Sequence, residues 1–149
     1  MGEQEHLYKR PESVLVVVYT QENEILALRR KYPDYFWQSV AGSLEWDETP
    51  IQAARRELCE ETGLSDISTL VDHHTCNEFL IYPVWRHRYA PGVISNKEYL
   101  YSLKIKTRCR IVLDEREHSE YRWLSIPEAI LRINSHTNRD AISNIINSA

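Results

Sequence analysis

The segment from Gly42 to Leu64, GSLEWDETPIQAARRELCEETGL, sets Gly42, Glu48, Arg56, Glu57, Glu60, Glu61 and Gly63 at fixed spacings and constrains the chain more than any other stretch. Thr49 is a good N-cap, Pro50 suits the first helical position, and Gln52 follows Thr49 by three residues, so a capping box opens a helix here. Gly63 supplies a left-handed stop. Ile51, Ala54 and Leu58 recur at i, i+3 and i+7 as the buried stripe, while Glu57 and Glu61 stand one turn apart on an adjoining face with Glu60 beside them. Arg56 has the i, i+4 reach to hold Glu60.

A charge run of this kind is ordinarily the solvated face of a surface helix. Here the acids crowd the C-terminal half, where both mutual repulsion and the helix macrodipole oppose them, and something cationic should offset that cost. A carboxylate pair one turn apart, flanked by a third, offers the oxygen ligands that Mg²⁺ or Mn²⁺ prefers, with waters and a substrate phosphate completing the shell.

The run fills every fixed position of G(x5)E(x7)REUxEExGU, with U aliphatic, and so resembles the box of the Nudix family of diphosphate hydrolases. Within that family, Lys9-Arg10-Pro11, PDYFWQSVAGSLE from Pro33 to Glu45, HRYAPGV from His87 to Val93, and Glu117-His118 followed by Tyr121-Arg122-Trp123-Leu124 are similar to the bacterial dihydroneopterin triphosphate pyrophosphatases. That resemblance implies cleavage of the pterin triphosphate to its monophosphate and pyrophosphate, with nucleoside triphosphates such as dATP also accepted. Trp46-Asp47 departs from the many boxes that carry Gly just before the Glu at position 48, which points to a stiffer loop that leaves the metal site intact, while the family's loop-dependent substrate preference does not carry over with it.

Hydrolysis of a phosphoanhydride needs neutralised phosphate oxygens, an aligned water and a proton acceptor. The resemblance assigns metal binding to Glu57, Glu60 and Glu61, supported by Arg56, and favours Glu117 as a further metal ligand or base; by residue type alone Glu117 is equally an exposed acid. It also nominates Lys9 and Arg30 for the phosphates, the Ala41 backbone for the substrate, Phe79, Leu80, Ile81 and Tyr82 for the flat heterocycle, and Ser135 for a phosphate or ring. Phe79 and Ile81 read equally well as strand core, and Ser135 as a local cap. Trp37 and Tyr89 read as structural aromatics.

At 149 residues, 42% hydrophobic and 27% charged, the chain fits one domain spanning 1–149. A net charge of −4 argues against general nucleic-acid binding, whereas basic clusters at Lys9-Arg10, Arg29 to Lys31, Arg86 to Arg88 and Arg108 to Arg110 can grip a small polyanion. Val14 to Tyr19, the longest apolar stretch, is too short to span a bilayer, and the polar N-terminus shows no signal-peptide core. Cys59, Cys76 and Cys109 fit neither a disulfide framework nor a zinc site, so reduced thiols and a cytoplasmic location are expected, with the oligomeric state left open.

Ser13 to Tyr19 reads as a strand buried on both faces, and Ile25 to Leu28 as its hairpin partner. Ile67 to Val71, Phe79 to Arg88, Tyr99 to Ile105 and Tyr121 to Leu124 read as further strands. A second capping box at Ser125 opens a helix through Ile133, and Asp140 to Asn147 closes the chain as another. Together these elements predict an α/β chain with the Nudix fold, an α/β/α sandwich around a mixed β-sheet. Two other readings remain: a Nudix hydrolase of dinucleoside polyphosphates or RNA 5′ ends, which calls for a larger basic face, and a noncatalytic nucleotide-binding Nudix module, which would be expected to have lost box carboxylates.

Overall fold

Strand β1 (Glu12–Thr20) organises the molecule, which a computed structural model describes over residues 7–148. The expectation of a polar N-terminus without a signal core rests partly on residues 1–6, which lie outside the described residues. Val14 to Val18 are all 2% exposed or less, so both faces of β1 are covered. Fully burying a side chain of this size contributes roughly 1.5–3 kcal/mol, and five in succession make this strand the centre of the core.

Six further strands complete a mixed sheet: β2 (Ile25–Arg30), β3 (Trp37–Gln38), β4 (Val40–Ser43), β5 (Leu70–Leu80), β6 (Ser95–Ile105) and β7 (His118–Leu124). β6 runs parallel to β1 along its whole length, from Glu12 opposite Lys97 to Thr20 opposite Ile105. β5 is antiparallel to β6, and β7 and β3 are antiparallel to β2. Helix α1 (Pro50–Thr62) covers the face carrying Val14, Val16 and Val18, whereas α2 (Ile126–Arg132) and α3 (His136–Ser148) cover the face carrying Leu15, Val17 and Tyr19. The alternation of β1 thus supplies two cores, and the α/β/α order follows from it. Among the described residues, no helix is long and apolar enough to cross a membrane.

Both predicted capping boxes form: Thr49 accepts from the Gln52 N–H and Ser125 from the Glu128 N–H, each with the reciprocal contact. Gly63 closes α1 with φ 75°. Four sequence expectations change. β2 meets β1 at one register pair, Tyr19 with Ile25, and otherwise lies along β7, because β4 occupies the same edge of β1 from Ser13 to Val16. Phe79 to Arg88 is not one strand: β5 ends at Leu80, and Pro83, fixed in φ and without an N–H, starts a 3₁₀ turn through Arg88. Ile67 to Val71 is not a separate strand either, since β5 begins at Leu70 and passes through a register shift between Asp72 and Cys76, where His74 takes φ 52°. The last helix starts four residues earlier than Asp140, at His136.

Candidate active site

Arg56 ties the box together. Its guanidinium grips Glu48 in two parallel bonds of 2.8 Å, donates to Glu57 at 2.7 Å and to the Ser43 carbonyl at 3.1 Å, and reaches Glu60 at 3.3 Å. The Arg56 hydrogen bonds hold the Glu48 carboxyl below the usual carboxylate range. Arg10 fixes the loop before α1, donating to the Glu45, Trp46 and Glu48 carbonyls at 3.0, 3.3 and 2.9 Å. Trp46 is anchored through its indole N–H to the Tyr8 carbonyl at 2.9 Å.

Glu57 and Glu61 lie on the same side of α1, 7% and 1% exposed. Among the described residues neither oxygen of Glu61 has a hydrogen-bond partner within normal geometry, and His118 Nε2 lies 3.6 Å from Oε1. Burial, together with the Glu57 and Glu117 charges, pushes the Glu61 carboxyl well up, while burial holds the His118 imidazole down at about 4 and therefore neutral. Burial and the same two acids also raise Glu60. Enclosed carboxylates gathered on one side of a helix, with buried oxygens lacking donors among them, fit a hard divalent cation. Among the described residues, no three His, Cys, Asp or Glu side chains already surround one point. Magnesium ordinarily takes only one or two carboxylates and fills its shell with waters and phosphate oxygens, so a full protein cage is not required.

Beside these acids opens a cleft of about 390 Å³ lined by Lys9, Arg30, Arg88, Glu57 and Glu117, among others. The Lys9 N–H donates to the Arg88 carbonyl at 2.8 Å, bringing the N-terminal segment against the 3₁₀ turn. The surrounding protein and the neighbouring Arg88 hold the Lys9 ammonium below the usual lysine value, although its side chain stays open to solvent along the cleft. Arg30 is lowered by the same causes, and its guanidinium lies 4.7 Å from the Trp85 ring centre. Glu117 comes from the turn before β7, where the Lys31 N–H donates to its carbonyl at 2.9 Å. Three cations thus face the carboxylates across one opening, an arrangement suited to a chain of phosphates.

The cleft continues between an aromatic wall and a buried polar end. Phe36, Tyr82 and Trp85 pack edge to face with ring centres 5.1–5.5 Å apart. Gln38, Asn96 and Glu98 line the far end and are 6%, 2% and 6% exposed. Burial pushes the Glu98 carboxyl up to about 7 against a hydrogen bond from Thr137. Asn138 locks this end to the link between β3 and β4, accepting from the Ser39 N–H and donating to the Ser39 hydroxyl, both at 2.9 Å.

The NUDIX domain family matches residues 9–144. The chain belongs to the Nudix family. It is 43% identical over 148 residues to a dihydroneopterin triphosphate diphosphatase of Escherichia coli, covering 96% of this chain and 97% of the relative. Against the Haemophilus influenzae protein of that name it is 41% identical, over 91% and 87% of the two chains. The solved structure of the E. coli dihydroneopterin triphosphate pyrophosphohydrolase superposes with a TM-score of 0.90 at 42% identity, covering 96% of this chain and 99% of that one. A Nudix hydrolase structure from Listeria monocytogenes, at 26% identity, gives 0.75 over 91% and 92%.

Of the residues nominated from sequence, the Nudix fold brings Lys9, Arg30, Ala41, Arg56, Glu57, Phe79, Ile81, Tyr82, Glu117 and Ser135 to the cleft. Leu80 is a correction: alternation along β5 turns it away from Phe79 and Ile81, and it is 66% exposed. Glu60 stays on the solvent side of α1, outside the cleft lining, and Glu61 is fully enclosed. Ser135 fits both of its readings, since it lines the cleft and accepts from the Asn138 N–H at 3.4 Å. Tyr89 lines the cleft although its sequence suggests only a structural aromatic, whereas Trp37 is buried outside it. Sequence reasoning also missed Arg88, Trp85, Gln38, Asn96 and Glu98. Arg88 had a signal in its basic cluster; for Asn96 and Glu98 the only hint was polar residues sharing one strand face with Leu100.

Proposed function

We propose that this chain hydrolyses dihydroneopterin triphosphate to the monophosphate and pyrophosphate, acting as one domain and accepting dATP less well. The observation that carries the reading is the cleft itself, which Glu57 of the box lines together with three cations, an aromatic wall and buried polar side chains. Identity of 41–43% over 91–96% of the chain to relatives named for that reaction supports the substrate. An opening of this size suits a small molecule rather than a polymer.

Glu57 and Glu61 would hold Mg²⁺ or Mn²⁺, assisted by Glu60 and Glu117, and the bound ion would polarise the phosphate and lower the pKa of a water. Arg56 holds the Glu57 and Glu60 side chains in place. Lys9, Arg30 and Arg88 draw the triphosphate into line and neutralise charge on the leaving pyrophosphate. Glu117, exposed and lining the cleft, would accept a proton from the attacking water or serve as an outer metal ligand. Phe79, Ile81 and Tyr82 pack the ring.

Reaction in ¹⁸O-labelled water tests the reading. Attack at the α-phosphorus places the label in the monophosphate and releases unlabelled pyrophosphate in one piece. Orthophosphate as the first product, or a preference for dinucleoside polyphosphates, would overturn the assignment.

A further inference from the structure

Glu98 is a carboxylate enclosed by protein whose Oε1 has no hydrogen-bond partner. Among the described residues, Gln38 Nε2 and Asn96 Oδ1 are likewise buried without partners, and all three side chains line the same cleft. Unpaired buried polar atoms are costly, and three at one end of an open cleft mark a surface shaped to be completed by a ligand. Asn96 and Glu98 belong to the other side of the sheet from the box. Glu98 lies opposite Ser13 in the register that sets Leu100 opposite Leu15, both in the core beneath α2 and α3, while Glu57 stands on α1 across the sheet.

Amide groups can turn either end toward a ligand, but an ionised carboxylate only accepts. It repels phosphate and calls for adjacent N–H donors. A 2-amino-4-oxo pyrimidine ring, the fused half of a pterin, presents two such donors side by side with a carbonyl next to them. Adenine instead presents one N–H group beside a ring nitrogen lone pair, which would face the carboxylate unfavourably. We propose that Glu98 is the specificity-determining residue, accepting the 2-amino and ring N–H groups of a 2-amino-4-oxo heterocycle while Gln38 donates to its carbonyl. Thr137 steadies the carboxylate, which retains lone pairs for both donors. This inference rests on the pyrophosphohydrolase reading of the same cleft.

Two measurements test it. Glu98→Gln replaces one acceptor with a donor, so the ratio of kcat/KM for dihydroneopterin triphosphate to that for dATP should fall at least about tenfold. An unchanged ratio in a variant that melts cooperatively overturns the proposal. The wild-type protein gives an independent reading: neopterin monophosphate should inhibit at least about tenfold more tightly than its 2-oxo lumazine counterpart, whose carbonyl would face the carboxylate. Equal inhibition also overturns it. Inhibition can be read against any accepted triphosphate, so it judges Glu98 separately from whether pyrophosphate is released from dihydroneopterin triphosphate, which judges the function.

Discussion

Gly42 lies so close to Glu57 that a Cβ built at position 42 would overlap the Glu57 carboxyl group. The glycine serves close approach here rather than an unusual turn: it pairs in register with Val14 inside β4. Gly42→Ala should therefore displace Glu57 without unfolding the sheet. A loss of about a hundredfold in kcat is expected from a misplacement on the order of 1 Å, with far-UV circular dichroism unchanged. Wild-type turnover would show that the Glu57 position is not critical.

Glu61→Gln replaces one oxygen of an enclosed carboxyl group with an amide nitrogen that cannot serve as a metal ligand. Turnover should fall by about two to four powers of ten while substrate still binds. Single-turnover kinetics and equilibrium binding separate the two effects. Calcium should compete with magnesium yet support little activity, since its longer and looser coordination misplaces the water.

Glu117, Glu115 and Glu120 stand close in sequence but differ in setting. Glu117 lines the cleft, Glu115 is exposed, and Glu120 pairs with Arg29 at 3.0 Å. Glu117→Ala should lower activity and weaken the dependence on metal concentration. The other two alanine variants should leave both nearly unchanged, and equal small effects at all three positions would remove Glu117 from the site.

Legibility from sequence follows the range of the interactions involved. The α1 helix could be read because Thr49, Gln52, Gly63 and the Ile51, Ala54, Leu58 stripe act within a few residues of one another. Arg56 was readable as the partner of Glu60, but its stronger bonds to Glu48 come from a loop whose path the sequence does not reveal. Glu98 shows the limit: a glutamate on a strand ordinarily faces solvent, and it is enclosed only because β6 lies parallel to β1 while α3 covers that face. Leu80 failed for the opposite reason, since a four-residue run was assigned to one surface although a strand shows alternate residues to opposite sides.

The buried Glu98 also sets a pH dependence. Its folded value of about 7 lies above the ordinary 4.5, so the native state holds a proton that the unfolded chain has released. Stability of the ligand-free protein should fall as pH rises from 4.5 to 7 and level off above. Glu98→Gln should remove this contribution, gaining up to about 3 kcal/mol over wild type at pH 8 and nothing near pH 4. Denaturant titrations at the two pH values provide the check; a constant difference would contradict it.

Trp37 and Ser39, on either side of Gln38, are held through their backbone N–H groups by Asn134 and Asn138, nearly a hundred residues further along the chain. During synthesis the box helix and most of the sheet leave the ribosome well before those asparagines do. Until the segment carrying Asn134 and Asn138 has emerged and docked, the backbone on either side of Gln38 lacks both ties, and Ala141, Ile142 and Ile145 are missing from the core against β1. A chain truncated before residue 134 should therefore fail to complete its packing rather than act as a slower version of the finished enzyme.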